Sequence, residues 1–206
     1  MSAAALDAVT LDAYGTLVTL LDPGPALTSA LATRGVERSP EVVLAGFRAE
    51  VAHYGPRASQ GRDEESLIRL QRECAGVFLD AVGADLDASE FAPTYVGALH
   101  FDVLPGVVSS LERLRNLGLE LAVVANWDLS LHRLLGEVGL SHHFTTIVHA
   151  AEKPAPTGLL EALGRLGVEP ARALHVGDDE TDEQAARAAG MAYAPTPLPD
   201  AVARLA

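Results

Sequence analysis

From residue 102 to residue 194, short apolar runs alternate with stripes of helical period. This alternation constrains the fold more than anything else in the chain. Strands separated by helix-length crossovers pair in parallel, and right-handed crossovers lay helices on both faces of the sheet. Residues 119–125 are almost wholly apolar, as a strand covered on both sides must be. Residues 146–148, 173–176 and 192–194 read as further strands. Between them, helical spacing appears in Val107, Val108, Leu111, Leu114 and Leu117, then in Leu131, Leu134, Leu135 and Val138. It recurs in Leu159, Leu160, Leu163 and Leu166, and residues 182–189 give a short last helix.

A further strand, residues 8–11, precedes a region of different character. Asp22-Pro23-Gly24-Pro25 breaks the pattern, and up to about residue 101 the reading is helical. Ser39-Pro40-Glu41 has the form of an N-cap followed by proline at the first helical position, starting a helix near Val42 that Gly55-Pro56 ends. Residues 63–82 place Leu67, Leu70, Cys74, Val77 and Phe78 on one face, with Gly83 as the stop. Cys74 on that stripe reads as a packed core thiol. The expected fold is α/β: a Rossmann-like parallel sheet with helices on both faces, formed by residues 1–18 and 102–206, plus a small all-helical domain over 19–101.

Composition narrows the partners. A net charge of −13 in 206 residues argues against nucleic acid or an anionic membrane, both of which need clustered Lys and Arg. No run approaches eighteen apolar residues, and no basic-then-apolar leader opens the chain. The single cysteine rules out an internal disulfide and a cysteine-cluster metal site. A cytoplasmic protein acting on a small molecule is expected, as a monomer or a homodimer.

In open parallel sheets ligands bind beyond the carboxyl ends of the strands. The residues following each strand are Asp12, then Asn126-Trp127-Asp128, then Glu152-Lys153-Pro154, then Gly177-Asp178-Asp179-Glu180-Thr181-Asp182. A carboxylate at such a strand end, followed by a glycine turn, can attack an electrophile while backbone N–H groups cradle an anion. Asp12, Asp178, Asp179 and Asp182 would repel one another if crowded and ionised. Lys153 offers one compensating charge, and Mg²⁺, an oxygen-seeking ion, is the natural second. Local capping offers a blander account of two residues: Thr181-x-x-Gln184 matches a capping box, and Asp128 could cap the helix before Leu131.

The order strand–Asp12-Ala13-Tyr14-Gly15-Thr16-Leu17, Lys153-Pro154, Gly177-Asp178-x-x-x-Asp182 resembles the haloacid dehalogenase superfamily of hydrolases. The resemblance covers nearly the whole chain, and the helical insertion is similar to the cap of that superfamily's first structural subgroup. It implies that Asp12 is the nucleophile and that Lys153 orients it. Asp12, Asp178 and the backbone carbonyl of Tyr14 would hold Mg²⁺, with Asp182 and Asp179 supporting it. Gly15 and Thr16 would shape the loop around the transferring group, and Asn126 and Trp127 would line the substrate pocket.

Two residues depart from the superfamily's phosphatases. Tyr14 stands where they carry a second Asp, the general acid and base, a role worth typically 10²–10⁴-fold. A tyrosine, with a reference pKa near 10, does not replace it as a base at neutral pH. Ala125 stands where a Ser or Thr hydroxyl is expected. The Asp-Ala-Tyr-Gly-Thr opening is similar to that of the dehalogenases, which attack carbon without metal, whereas the acidic last motif is similar to the phosphatases. Three readings follow: a Mg²⁺-dependent hydrolase of small phosphate monoesters, a 2-haloacid dehalogenase-type hydrolase without metal, and a catalytically weak ligand-binding descendant. Arg48 occupies a place where such dehalogenases bind a substrate carboxylate, although arginine is common on any exposed helix. His142, His143 and His175 show no metal-ligand spacing and read as ordinary loop or strand histidines.

Overall fold

The computed structural model describes residues 6–205; residues 1–5 of the expected core segment and residue 206 lie outside them. In chain order the elements are β1 (Ala8–Leu11), β2 (Val18–Leu20), α1 (Gly24–Ala32), α2 (Pro40–Tyr54), α3 (Glu64–Val82), α4 (Ala88–Gly97) and β3 (Phe101–Val103). There follow α5 (Val107–Asn116), β4 (Glu120–Val124), α6 (Leu131–Glu137), β5 (Thr146–Val148), α7 (Thr157–Leu166), β6 (Ala173–Gly177), α8 (Glu180–Ala189), β7 (Ala192–Pro195) and α9 (Leu198–Ala203). Contacts divide the chain into two units, one running to Thr19 and resuming at Asp102, the other Leu20–Phe101.

Among the described residues, the first unit holds a five-stranded sheet in the order β5-β4-β1-β6-β7, with every pair parallel. Strand order reverses beside β1, between its neighbours β4 and β6. Such a switch point leaves a crevice beyond the strand ends. Asp12 follows β1 and Asp178 follows β6, so this topology brings two acids from opposite ends of the sequence to one place. Under the sheet, small side chains dominate one packed face: Ala8, Ala122, Ala173, Ala162, Ala185 and Ala186 are all fully buried. Residues two apart on a strand share a face, so Thr10 and His175 stand on the same side as Ala8 and Ala173.

The second unit packs α1 to α4 around its own core. Phe78, Phe91 and Tyr95 form its centre, with the Phe78 and Phe91 rings stacked 6.2 Å apart. Asp63 caps α3 through a reciprocal pair of bonds with Ser66, and Ser39 accepts from the Val42 N–H at the start of α2. Glu50, an acid on this helix, is buried at 5% exposure.

Several local expectations need correction. The Pro23–Pro25 stretch does not merely break the pattern, because Pro25 sits in the first turn of α1, where a missing N–H is harmless. The three-residue strands β2 and β3 pair as a ribbon where the chain passes between the units; runs this short carry no period to read. Val108 and Leu117 are each 44% exposed and Leu160 is 42% exposed. Val108 and Leu160 lie one residue round the helix from the buried Val107 and Leu159, and Leu117 falls past the end of α5. Helix α8 begins at Glu180 instead of 182, because its cap is Asp179.

Candidate active site

Asp12 continues the β1 ladder, its N–H donating to the Val176 carbonyl at 2.9 Å, so its carboxylate emerges at the sheet edge with little freedom. Lys153 Nζ donates to Asp12 Oδ1 at 2.5 Å and also to Asp182 Oδ1. The ammonium is buried and shared by two acids. Burial opposes its charge, but the attraction of Asp12 and Asp182 outweighs that and raises its pKa. The Lys153 backbone is held by one side chain. Its N–H donates to Asn126 Oδ1 at 2.7 Å, and its carbonyl accepts from Asn126 Nδ2 at 2.8 Å. Both ends of the Asn126 amide are therefore committed to placing the lysine loop.

Asp182 closes the loop after β6. Its Oδ2 accepts from the N–H groups of Asp178 and Asp179, at 3.1 and 3.3 Å, and its Oδ1 faces His175 Nε2 at 3.0 Å. Gly177 makes this closure possible, since a Cβ there would lie 2.2 Å from Asp182 Cγ. His175 Nδ1 meets Thr10 Oγ1 at 2.8 Å, directly opposite in the β1–β6 register. A continuous buried chain thus runs Thr10–His175–Asp182–Lys153–Asp12. The His175 ring thus bridges Thr10 on β1 and Asp182 on the loop after β6. His175 is the satisfied strand histidine that the sequence suggests, while its partner Thr10 is a residue no motif marks; two polar residues in otherwise apolar strands are the signal, readable once the strand order is known.

Charge is distributed unevenly over these acids. Burial raises the Asp12 pKa to about 6 against the pull of Lys153. Burial would raise Asp182 also, but the hydrogen bond from His175 and the charge of Lys153 hold it well below the usual carboxylate range. Asp178 is raised by burial and by the neighbouring Asp182 and Asp179. Oxygen atoms of Asp12, Asp178 and Asp182 all lie within 4.8 Å of one another. Gly15, at φ +73°, makes room for this approach, because a Cβ at that position would stand 2.2 Å from Asp178 Oδ2.

The surrounding crevice measures about 170 Å³. Ala125, Asn126, Trp127 and the half-exposed Tyr14 line it together with the acids, Lys153 and Thr181. Drug-sized ligands occupy roughly 300–1,000 Å³, so this crevice suits a small polar head group.

The profile of the haloacid dehalogenase-like hydrolases matches residues 6–190. The human haloacid dehalogenase-like hydrolase domain-containing protein 3 is 31% identical over 198 residues, covering 89% of this chain and 78% of that protein. The chain belongs to the haloacid dehalogenase-like hydrolases. A phosphoglycolate phosphatase of Xanthomonas campestris pv. campestris (strain 8004) is 32% identical over 181 residues, which cover 84% of this hydrolase and 76% of the phosphatase. The solved L-2-haloacid dehalogenase of Xanthobacter autotrophicus superposes with a TM-score of 0.66 at 25% identity, covering 93% of this chain and 77% of that one.

Within this hydrolase the remaining residues singled out by sequence fall as follows. Asp179 is not among the three converging acids. Its Oδ1 accepts from the N–H groups of Thr181 and Asp182 and from the Thr181 hydroxyl, so it caps α8, and Thr181 is its partner instead of the cap. Asp128 Oδ1 accepts from the Ser130 N–H at 2.8 Å, closing the turn before α6, whose N-cap position is Ser130. Trp127 Nε1 donates to the Ser130 hydroxyl at 3.2 Å, which fixes the indole at the crevice wall. Thr16 is buried, and its hydroxyl oxygen has no hydrogen-bond partner. Arg48 is exposed on α2 in the helical unit. No helix among the described residues is long and apolar enough to cross a membrane.

Proposed function

We propose that this hydrolase cleaves small phosphate monoesters through an aspartyl-phosphate formed on Asp12, with Mg²⁺ held by Asp12, Asp178 and the Tyr14 backbone carbonyl. The observation that carries the reading is the charge count of the crevice. The three converging acids Asp12, Asp178 and Asp182 bring three negative charges against the one positive charge of Lys153, an excess of two before Asp179, which also lines the crevice, is counted. Crowded carboxylates of this kind are expensive without a compensating cation. The donor set is all oxygen, which fits Mg²⁺, and the ion would supply Lewis-acid neutralisation of phosphoryl charge. Asp182 has both oxygens engaged and acts as a strut for the loop.

Asp12 Oδ1 is bound by Lys153, so Oδ2 is the attacking atom. It forms a bond to phosphorus as the ester oxygen departs with the bonding pair and takes a proton from water. Water then attacks the aspartyl-phosphate, breaking its P–O bond to Asp12 and releasing inorganic phosphate. With Asp12 titrating near pH 6, the nucleophile is mainly ionised at neutral pH. The phosphoglycolate phosphatase relatives support a phosphorylated substrate.

Tyr14 favours a second reading, displacement of halide from a 2-haloacid carbon by Asp12, since halide leaves without a proton and residue 14 offers no carboxyl. The likeness to the Xanthobacter dehalogenase supports it. One comparison decides. Phosphate release from p-nitrophenyl phosphate that is abolished by a chelator and by Asp12→Asn supports the phosphatase. Chloride release from 2-chloropropionate that is indifferent to chelator supports the dehalogenase. Neither activity, with a melting temperature raised by a metabolite, supports a binding protein and overturns both.

A further inference from the structure

Outside the acidic crevice, two imidazoles from separate elements meet nitrogen to nitrogen. His132, on the first turn of α6, is exposed, and His149, just after β5, is half-buried. His132 Nε2 lies 3.2 Å from His149 Nδ1, with ring centroids 5.2 Å apart and the planes at 76°. Zinc–imidazole bonds are about 2.0–2.1 Å long, so two of them at a tetrahedral angle separate their nitrogens by ~3.3 Å. The pair therefore already stands at chelating distance. We infer that His132 and His149 form a second metal site, taking one borderline divalent ion such as Zn²⁺ and completing its coordination with water.

In the metal-free pair one ring's N–H donates to the other across this contact. Binding requires that this proton move to the donor ring's other nitrogen, so that both facing nitrogens present lone pairs to the ion. Burial, with the proximity of His149 and Arg165, disfavours protonation of His132 and keeps its lone pair available. Arg165 is the opposing charge. Its guanidinium is occupied by Glu161 Oε1 at 2.5 Å, Thr146 Oγ1 at 3.2 Å and the Ile147 carbonyl at 3.3 Å. Ligand softness separates the two sites, since Mg²⁺ seeks oxygen and dehydrates reluctantly while imidazole suits Zn²⁺, Ni²⁺ and Cu²⁺.

The placement gives such an ion a structural consequence. Loops 125–130 and 149–153 are zipped together by Ala151 N–H to the Ala125 carbonyl, Ala150 N–H to the Trp127 carbonyl, and the paired Asn126–Lys153 bonds. The histidines extend that zipper outward. Within it Ala150 and Glu152 take the left-handed backbone, at φ 51° and 59°, so the segment that delivers Lys153 is strained. A metal bridging 132 and 149 clamps this segment from its outer end.

The test is calorimetric titration of the chelator-treated full chain with ZnCl₂ under excess Mg²⁺, with melting temperature followed in parallel. One equivalent should bind and raise the melting temperature. A residue that merely orients a ligand is worth roughly 10–100-fold in metal affinity, so His132→Gln and His149→Gln should each lose at least that. Asp178→Asn and His142→Gln should bind as the parent does. The parent with Cu²⁺ should show hyperfine coupling to two imidazole nitrogens. Absence of binding, unchanged affinity in both histidine variants with their folds intact, or loss of binding in Asp178→Asn or His142→Gln overturns the assignment.

Discussion

Replacing Asp12 with asparagine separates what this carboxylate does for chemistry from what it costs the fold. Its folded pKa of about 6 lies above the usual value of 3.8, with burial as the first cause. A raised acid contributes stability that is complete below its unfolded pKa and is lost as pH rises through about 6. At pH 7 a gap of about two units corresponds to about 3 kcal/mol. Asparagine mimics the neutral form and leaves Lys153 with Asp182 as its partner. In chelator at pH 7, Asp12→Asn should therefore stabilise the sheet unit by up to about 3 kcal/mol, at roughly 2–4 °C per kcal/mol for a chain of this size. At pH 5 the advantage should shrink to about half, as wild-type Asp12 takes up its proton. The same variant should release no phosphate. Urea unfolding of both proteins at the two pH values gives the double difference directly. A variant less stable than its parent at pH 7, or an advantage that ignores pH, would refute this reasoning.

Gly15→Ala places a methyl group against Asp178 and holds alanine at a positive φ, costing about 1–2 kcal/mol from the backbone alone. A Mg²⁺ titration of activity should show at least about tenfold weaker dependence, and an unshifted curve would count against Asp178 as a ligand. Asn126→Ala removes both bonds to the Lys153 backbone and should cost about 1–3 kcal/mol. Its kcat should fall with KM little changed; unaltered kcat would mean that the lysine loop holds itself. Burial lifts the Glu50 carboxyl above its usual range, with Tyr95 and Cys74 offsetting part of the effect. Its contribution is thus lost as pH rises, and Glu50→Gln should stabilise the helical unit by about 1 kcal/mol at pH 8 and less at pH 4. Melting at the two pH values checks this, and a destabilised variant at pH 8 would contradict it.

The alternation of strands and helices made the parallel sheet legible, and reading only the residue after each strand gathered Asp12, Lys153 and Asp178. These features are local or periodic, which is what a single sequence displays. Long-range pairing is not displayed. Nothing near Thr10 announces His175 as its register partner 165 residues away. Asn126 lines the crevice as its position after a strand suggests, but nothing local shows that its amide is also engaged by a backbone 27 residues on. Asp179 takes the capping position in place of Thr181, because both residue types can cap a helix and only two positions separate them. Capping also accounts for an acid that looked like a metal ligand.

The ring closed by the Asp182 carboxylate across the amides of Asp178 and Asp179 has a kinetic corollary. The turn that presents Asp178, the proposed ligand, is fastened by the protein itself, so its ordering entropy is spent during folding. Cation capture should then be a one-step encounter whose observed rate climbs linearly with ion concentration, without the plateau that a loop waiting to rearrange would impose.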